Sequence, residues 1–422
     1  MTKATMILDT TMTSDPSQIH DPPSVIRNPL RILHIITRLI AGGAQQNTVT
    51  SCAAQVAAGH EVTLAYGPIY GPEGSLLDEA SKSGARLVEV KSMRRSILPG
   101  HDWFSYRALR KLIREVKPDV VHTHSSKAGI VGRAAASKER VGAVIHTIHG
   151  LPFNEKQPWP VRCGFIAAER WAAKRCHRLV GITRPMVDAF LIQRIGKREQ
   201  YSVIPSGVDV AQWDRNARGL PWRDMRSRVR GELNIPVDAP VIGLVARLDP
   251  LKGHADLLRV ARMLSTSHPD LRLLFVGGGW NRAAIEAQVR ELNLQGRVIF
   301  TGLVPAPRVA ELYFAMDVMA LPSYQEGQSR TLVESLLTGC PIVAYNAGGI
   351  REVCIDQVTG RLVPVGDIDA LRESLAWVLE HPQGAQRLAE QGRDYVMEKF
   401  DQRTMCAALE RLYAECVTAT DA

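Results

Sequence analysis

The chain has 422 residues, 45% of them hydrophobic and 23% charged, with a formal net charge of +9. That length exceeds one typical core and implies about two domains of roughly 150–200 residues each. The composition is that of an ordinary globular protein: no apolar run reaches the ~18 residues of a membrane span. The seven cysteines are scattered without a C-x-x-C pair, which points to neither a disulfide framework nor a zinc site.

Residues 1–30 are polar, carry Pro16, Pro22, Pro23 and Pro29, and read as a disordered tail rather than a signal peptide. The expected location is therefore the cytoplasm. From residue 31 to 205 there are 26 Lys/Arg against 13 Asp/Glu, and from 206 to 422 there are 24 against 27. A basic first half and a near-neutral second half imply different partners for the two.

The first predicted strand is RILHIIT (31–37), which ends in the turn AGGAQQ and a helical pattern closed by Gly59. EVTLAY (61–66), DVVHTH (119–124), GAVIHTIHG (142–150) and RLVGIT (178–183) follow as strands, with helical stretches between most of them. YSVIPSGVD (201–209) ends this set with Pro205 and Gly207, a plausible hinge. The pattern then restarts with VIGLVAR (241–247), RLLFVGGG (272–279), RVIFTG (297–302), DVMALPS (317–323) and CPIVAYNAGG (340–349). Strands alternating with helices predict two doubly wound α/β domains. Their ligands belong at strand carboxyl ends, in the cleft between the domains. The expected division is residues 31–205, 206–395 and a closing helix over 396–422.

Most chemistry-bearing residues of the second half follow strands. ARLDPLKG offers Arg247 and Lys252, two cations suited to a diphosphate or, read blandly, two solvated surface charges. In SYQEGQSRTLVE, Pro322 and Gly327 break the chain and a helix begins near Gln328 or Ser329, with Leu332, Val333, Leu336 and Leu337 as its buried stripe. Its free N–H groups would face a phosphate. Glu326 precedes that terminus and Glu334 lies inside it. Spacing alone leaves a glycosidase carboxylate pair open. A helix N-terminus and two cations between the acids fit a nucleotide-sugar better.

EGQSRTLVE resembles the E-x7-E motif of retaining glycosyltransferases of family 4, which have the GT-B fold. VARLDPLKG, FVGGG, RVIFTG, LPSYQEG and AGGIREVC resemble the same family, in the same order, from Arg31 to about Cys416. The resemblance implies that Glu326 meets hydroxyls of the donor sugar, Glu334 binds the ribose, and Arg247 and Lys252 neutralise the diphosphate. It also implies that backbone N–H groups near Arg330, Thr331 and Leu332 hold the phosphates, and that Gly278 and Gly302 lie near the base. Gln328, Ser329 and Arg330 depart from the aromatic or apolar residue usual after the E-G pair, so they are expected to tune the donor sugar.

In the first half, Gly42 and Gly43 are not G-x-G-x-x-G, and an ordinary tight turn is one reading of them. By resemblance they form the loop that closes over the donor diphosphate. His122, His124, His146 and His149 follow two strands. Metal binding is open to them, but no carboxylate stands at helical spacing, and satisfied strand histidines are the plain reading. His149, before Gly150, matches the family histidine near the transferring sugar. Ser125, Ser126 and Lys127, with His124, stand at an apparent helix N-terminus that either caps itself or receives an anion from the acceptor side. The same words resemble bacterial capsule and exopolysaccharide members, whose acceptors are often polyprenyl-diphosphate sugars.

The stretches 94–117 and 159–178 mix Trp103, Phe104, Trp159 and Trp171 with Lys and Arg. They suit either a membrane headgroup layer or a plain solvated face, and no nucleic-acid motif accompanies them. The expected activity is retaining transfer of a glycosyl group from a nucleoside-diphosphate sugar, UDP preferred, to a glycan or polyprenyl-linked acceptor, with no metal or other cofactor. A non-hydrolysing nucleotide-sugar epimerase and a non-catalytic nucleotide-sugar-binding subunit are the rival readings.

Overall fold

The computed structural model describes residues 28–71, 74–154, 157–218 and 222–418. The expected tail lies outside them up to residue 27. Its last residue does not belong to a tail, because Leu30 is buried in the core.

Among the described residues, thirteen strands form two wholly parallel sheets. The first sheet contains β1 (Arg31–Arg38), β2 (Glu61–Gly67), β3 (Arg86–Glu89), β4 (Val120–His124), β5 (Ala143–Ile148), β6 (Arg178–Gly181) and β7 (Tyr201–Val203), in the order β3-β2-β1-β4-β5-β6-β7. The second contains β8 (Val241–Val245), β9 (Arg272–Val276), β10 (Val298–Gly302), β11 (Val318–Leu321), β12 (Ile342–Tyr345) and β13 (Arg361–Val363), in the order β10-β9-β8-β11-β12-β13. The central strands are buried along their whole length, which is why they read as continuous apolar runs. Two of the four edge strands, β3 and β13, RLVE and RLV, go beyond the sequence expectation. They are short and begin on a charged residue.

Both sheets reverse their strand order once, between β1 and β4 and between β8 and β11. At such a point the crossover connections leave in opposite directions and open a crevice at the carboxyl ends. The loops there carry Gly42 and Gly43 after β1, Arg247 and Lys252 after β8, and Glu326 after β11.

The chain passes between the domains twice, and the two passes are bonded together. Val208 N–H donates to Phe400 O (2.8 Å), and Gln402 N–H donates to Val208 O (3.0 Å). The helix Pro382–Lys399 runs on past residue 395, so the return crossing lies at residues 400–402. The helix Gln402–Thr418 then covers the first sheet. Met405, Leu409, Leu412 and Tyr413 join one core with Leu30, Ile32, Val120, Ala143, Ile145 and Val180. His60 on the first domain is bonded to Glu410 at 2.9 Å.

The first domain thus completes its core with the last helix of the chain. Leu409→Ala, at a site 3% exposed, should cost about 2–5 kcal/mol of stability. A chemical-denaturation midpoint unchanged by this substitution would mean that the helix is only peripheral.

Candidate functional site

The loop after β8 is built by a 3-10 turn, Pro250–Lys252, whose first free N–H, that of Leu251, donates to the Asp249 carboxylate (3.0 Å). Gly253 follows at φ 74°, and a Cβ there would stand 2.0 Å from Pro322 O. Only glycine lets the two loops meet so closely. Tyr324 N–H donates to Leu251 O (2.9 Å) and fixes their register. The result is an ion pair: Lys252 Nζ lies 2.5 Å from Glu326 Oε1, which also accepts from Ser323 Oγ (3.0 Å). Arg247, in contrast, is exposed, and among the described residues no hydrogen bond or ion pair holds its guanidinium. Gly348, in the AGGIREVC stretch, lies at φ 54°, where a Cβ would meet Glu326 O at 2.1 Å. A third loop therefore closes on the Glu326 backbone.

The helix Arg330–Leu337 starts two residues later than the earlier of its two expected starts. Ser329 is its N-cap, and the Ser329 hydroxyl accepts from Leu332 N–H (3.4 Å). Thr331 Oγ1 lies 3.2 Å from the same hydroxyl, and Leu332 belongs to the buried stripe. No hydrogen bond among the described residues takes up the N–H groups of Arg330 and Thr331. Glu334 is buried, which raises its carboxyl pKa against the opposing pull of Arg330. Arg330 Nε lies 3.9 Å from Glu334 Oε1, while Arg330 Nη1 donates to Gly207 O (2.6 Å).

Gln328 departs from its expected role. Its amide brackets one residue of the linker: Ser206 N–H donates to Oε1 (2.7 Å), and Nε2 donates to Ser206 O (2.8 Å). Both ends of the side chain are spent on the hinge, so it does not face a donor sugar. Arg330 is likewise turned to the linker. Gly278, in the loop after β9, and Gly302, the last residue of β10, lie in segments joined side by side: Leu248 N–H donates to Gly278 O (2.9 Å) and Gly277 N–H to Gly302 O (3.1 Å).

From the first domain, Gly43 approaches the helix start of the second. A Cβ built on it would lie 3.2 Å from Arg330 Cδ. Gly42 precedes it as the N-cap of the helix Gly43–Ala57. The His149 carbonyl faces Gly327, whose Cβ would stand 2.9 Å away. His149, Ser125 and Ser126 also line a cavity of about 300 Å³ together with Glu169 and Phe190.

Two acceptor-side expectations need correction. Lys127 is committed to the Asp102 carboxylate (2.6 and 2.7 Å), because both sit on helices that pack together. His124 is buried at the end of β4 and faces the core. Ser125 holds the N-cap position of the helix Ser126–Lys138 at φ 62°, but the capping oxygen comes from Thr37, which accepts from Ala128 N–H (3.2 Å) and lies 2.7 Å from Ser125 Oγ.

The histidines form a network that also includes His34 on β1, which the register sets beside His122 on β4. His34 Nδ1 lies 2.9 Å from His124 Nε2, and His124 Nδ1 lies 3.1 Å from His149 Nε2. His34 Nε2 lies 2.8 Å from Gln55 Oε1. His122 is held between Tyr413 OH (2.5 Å) and Thr147 Oγ1 (2.7 Å). His146 Nδ1 is separate, against Thr123. Burial pushes the pKa of His34 and His149 down to about 4, and those of His122, His124 and His146 well below the ordinary value. His34, His122 and His124 each bring a ring nitrogen within 4.8 Å of the others, close enough to share a metal. All six of their ring nitrogens already have a protein partner.

Sequence reasoning missed His34, Gln55 and Tyr413. The adjacency of β1 and β4, which follows from a doubly wound order, was the signal that would have brought His34 beside the H-T-H of β4.

Comparison with known proteins gives a consistent result. Residues 225–395 match the family model "Glycosyl transferases group 1", and residues 41–212 match "Glycosyltransferase Family 4". The chain is similar to the UDP-Gal:alpha-D-GlcNAc-diphosphoundecaprenol alpha-1,3-galactosyltransferase of Escherichia coli, at 29% identity over 74% of this chain and 78% of that protein. It is also similar to the D-inositol 3-phosphate glycosyltransferase of Xylanimonas cellulosilytica, at 29% identity over 70% and 72% of the respective lengths. In fold it matches the crystal structure of Anabaena HepE in complex with UDP, with a TM-score of 0.77, 20% identity, and coverage of 91% of this chain and 99% of that one.

The neutral histidines carry a pH signature. In the unfolded chain they bind protons below about pH 6.5, while His34 and His149 in the folded chain do so only near pH 4. Their contribution to stability is complete above pH 6.5 and is lost as the pH falls toward 4. Denaturation midpoints at about pH 7.5, 6 and 5 should descend in that order; a flat profile would mean that these imidazoles charge inside the folded core.

Proposed function

We propose, since this chain belongs to the group 1 and family 4 glycosyltransferases, that it moves a glycosyl group from a nucleoside-diphosphate sugar, preferably UDP-linked, to an acceptor hydroxyl with the anomeric configuration kept. The observation that carries the reading is the Lys252–Glu326 pair at the strand ends of the second domain, on loops that also carry the exposed Arg247 and lead into the open N–H groups of Arg330 and Thr331, with Gly43 of the other domain against Arg330.

In this reading Arg247, Lys252 and the helix N–H groups stabilise the departing diphosphate, with no metal assigned to that task. Lys252 exchanges its carboxylate partner for phosphate oxygens, and Glu326 is released to accept hydroxyls of the sugar. Glu334, one turn into the helix, meets the ribose. Gly278 and Gly302 border the base, and His149 meets the transferring sugar. Neither glutamate is then placed as a covalent nucleophile. The acceptor attacks on the face the diphosphate leaves, and a diphosphate oxygen takes its proton.

A lipid-linked glycan acceptor fits the basic first half. Trp103 and Phe104 on the helix Pro99–Val116, and Trp159 and Trp171 on the helix Trp159–Ala173, are all exposed among Lys and Arg. Aromatic rings beside cations suit the headgroup layer of an anionic membrane, here the cytoplasmic face. No helix among the described residues is long and apolar enough to cross a membrane.

Radiolabelled nucleotide-sugar incubated with a membrane lipid extract should yield labelled lipid. Epimerised donor without transfer, or binding alone, would replace this reading by the epimerase or the binding subunit. Lys252→Ala and Glu326→Ala should each stay folded and lose roughly 10²–10³ in turnover. Near-normal turnover in either variant contradicts the roles given to the pair.

A further inference from the structure

The transfer reading uses one ring of His149. The line of hydrogen bonds behind that ring is left over, and its chemistry determines which way it points. It begins on the last helix of the chain, at Tyr413, whose hydroxyl lies 2.5 Å from His122 Nδ1. A phenol O–H is a stronger acid than a neutral imidazole N–H, and O–H donors make the shorter bonds, so in this contact Tyr413 donates. Its oxygen is then an acceptor, and it receives Gln55 Nε2–H at 3.2 Å.

The rest follows one proton at a time. With its amino end on Tyr413, Gln55 turns its carbonyl oxygen to His34 Nε2 (2.8 Å), and that nitrogen must carry the proton. A neutral imidazole has a single N–H, so His34 Nδ1 is bare and accepts from His124 Nε2–H (2.9 Å). His124 Nδ1 is bare in turn and accepts from His149 Nε2–H (3.1 Å). His149 Nδ1 is left without a proton. It is also the one ring nitrogen of this line that is buried and has no partner among the described residues.

We infer that Tyr413, Gln55, His34 and His124 act as a relay that sets the tautomer of His149, leaving its buried, unpartnered Nδ1 as a bare acceptor for the hydroxyl that the transfer reading brings to His149. The four are positioning residues. A substrate that brings an O–H to this point makes a hydrogen bond. One that brings an ether or carboxylate oxygen meets a lone pair and is refused. Thus the core of the first domain selects for a free hydroxyl there, and the closing helix takes part in that selection through Tyr413.

The tautomer stands on these distances and on Tyr413 as the donor; the meeting of His149 with a substrate hydroxyl rests on the transfer reading. Two measurements keep them apart. The full chain labelled with ¹⁵N-histidine is examined by long-range ¹H–¹⁵N correlation, with His149 assigned by its loss in His149→Asn. The expected spectrum has a protonated Nε2 and an unprotonated Nδ1 on His149. Gln55→Met removes the carbonyl that orients His34 and should give a mixture of both tautomers, with kcat reduced about five- to tenfold and KM little changed. Tyr413→Phe, which frees the Gln55 amide to turn, should give the same mixture. A protonated Nδ1 in the unsubstituted protein overturns the relay, and that spectrum needs no variant to fold. So does a Gln55→Met protein in which neither the spectrum nor kcat changes. Loss of the transfer reading would show in the lipid assay and leave the spectrum as it is.

Discussion

The geometry of this molecule depends on the place where its two interdomain passes touch. Val208 and Asp401 lie side by side in a short parallel bridge, with hydrogen bonds on both flanks. A single linker would leave two domains free to swing. Two linkers bonded to each other act as one narrow hinge. The residues around it are shared with the cleft: Gln328 brackets Ser206, and Arg330 donates to Gly207. The helix that begins at Arg330 is therefore tied to the hinge at its N-terminal end.

The charges of the cleft are arranged to cost little. Lys252 and Glu326 are both largely covered, and either alone would be a buried unpaired charge. Paired, they neutralise each other and hold the two loops in place. The same coverage strengthens the attraction between them, since a low-dielectric surrounding strengthens every interaction formed there. Arg247 remains in solvent, where an uncommitted guanidinium is cheap.

The first sheet takes a different course at its centre. Parallel strands buried on both faces normally carry only apolar side chains. Here β1 and β4 place His34, His122 and His124 inside, all neutral, with every ring nitrogen bonded. A buried polar group with a partner is tolerated, and one without is not. The network is affordable because the helix Gln402–Thr418 brings Tyr413 to it from the far end of the chain. The final helix is thus both a hydrophobic cover and a hydrogen-bonding part of the first domain.

The alternation of apolar runs and helical stretches, with glycines and charges following strands, was enough to read two doubly wound domains and to put Arg247, Lys252 and Glu326 at strand ends. These are local properties: the period of side-chain burial and the turn chemistry depend on neighbours in the sequence. What Gln328 touches is not local. A polar residue beside the donor motif looks like a donor contact until the linker, more than a hundred residues earlier, is found against it. The same holds for Lys127, which reads as an anion binder until Asp102 on another helix takes it, and for His34, which reads as a lone histidine in an apolar strand until β4 is set beside it. The sequence by itself determined the central strands and their helices and which residues stand at their ends. Only the tertiary structure decided the partners of those residues, because hydrogen bonds and ion pairs depend on distances across the fold, which packing sets.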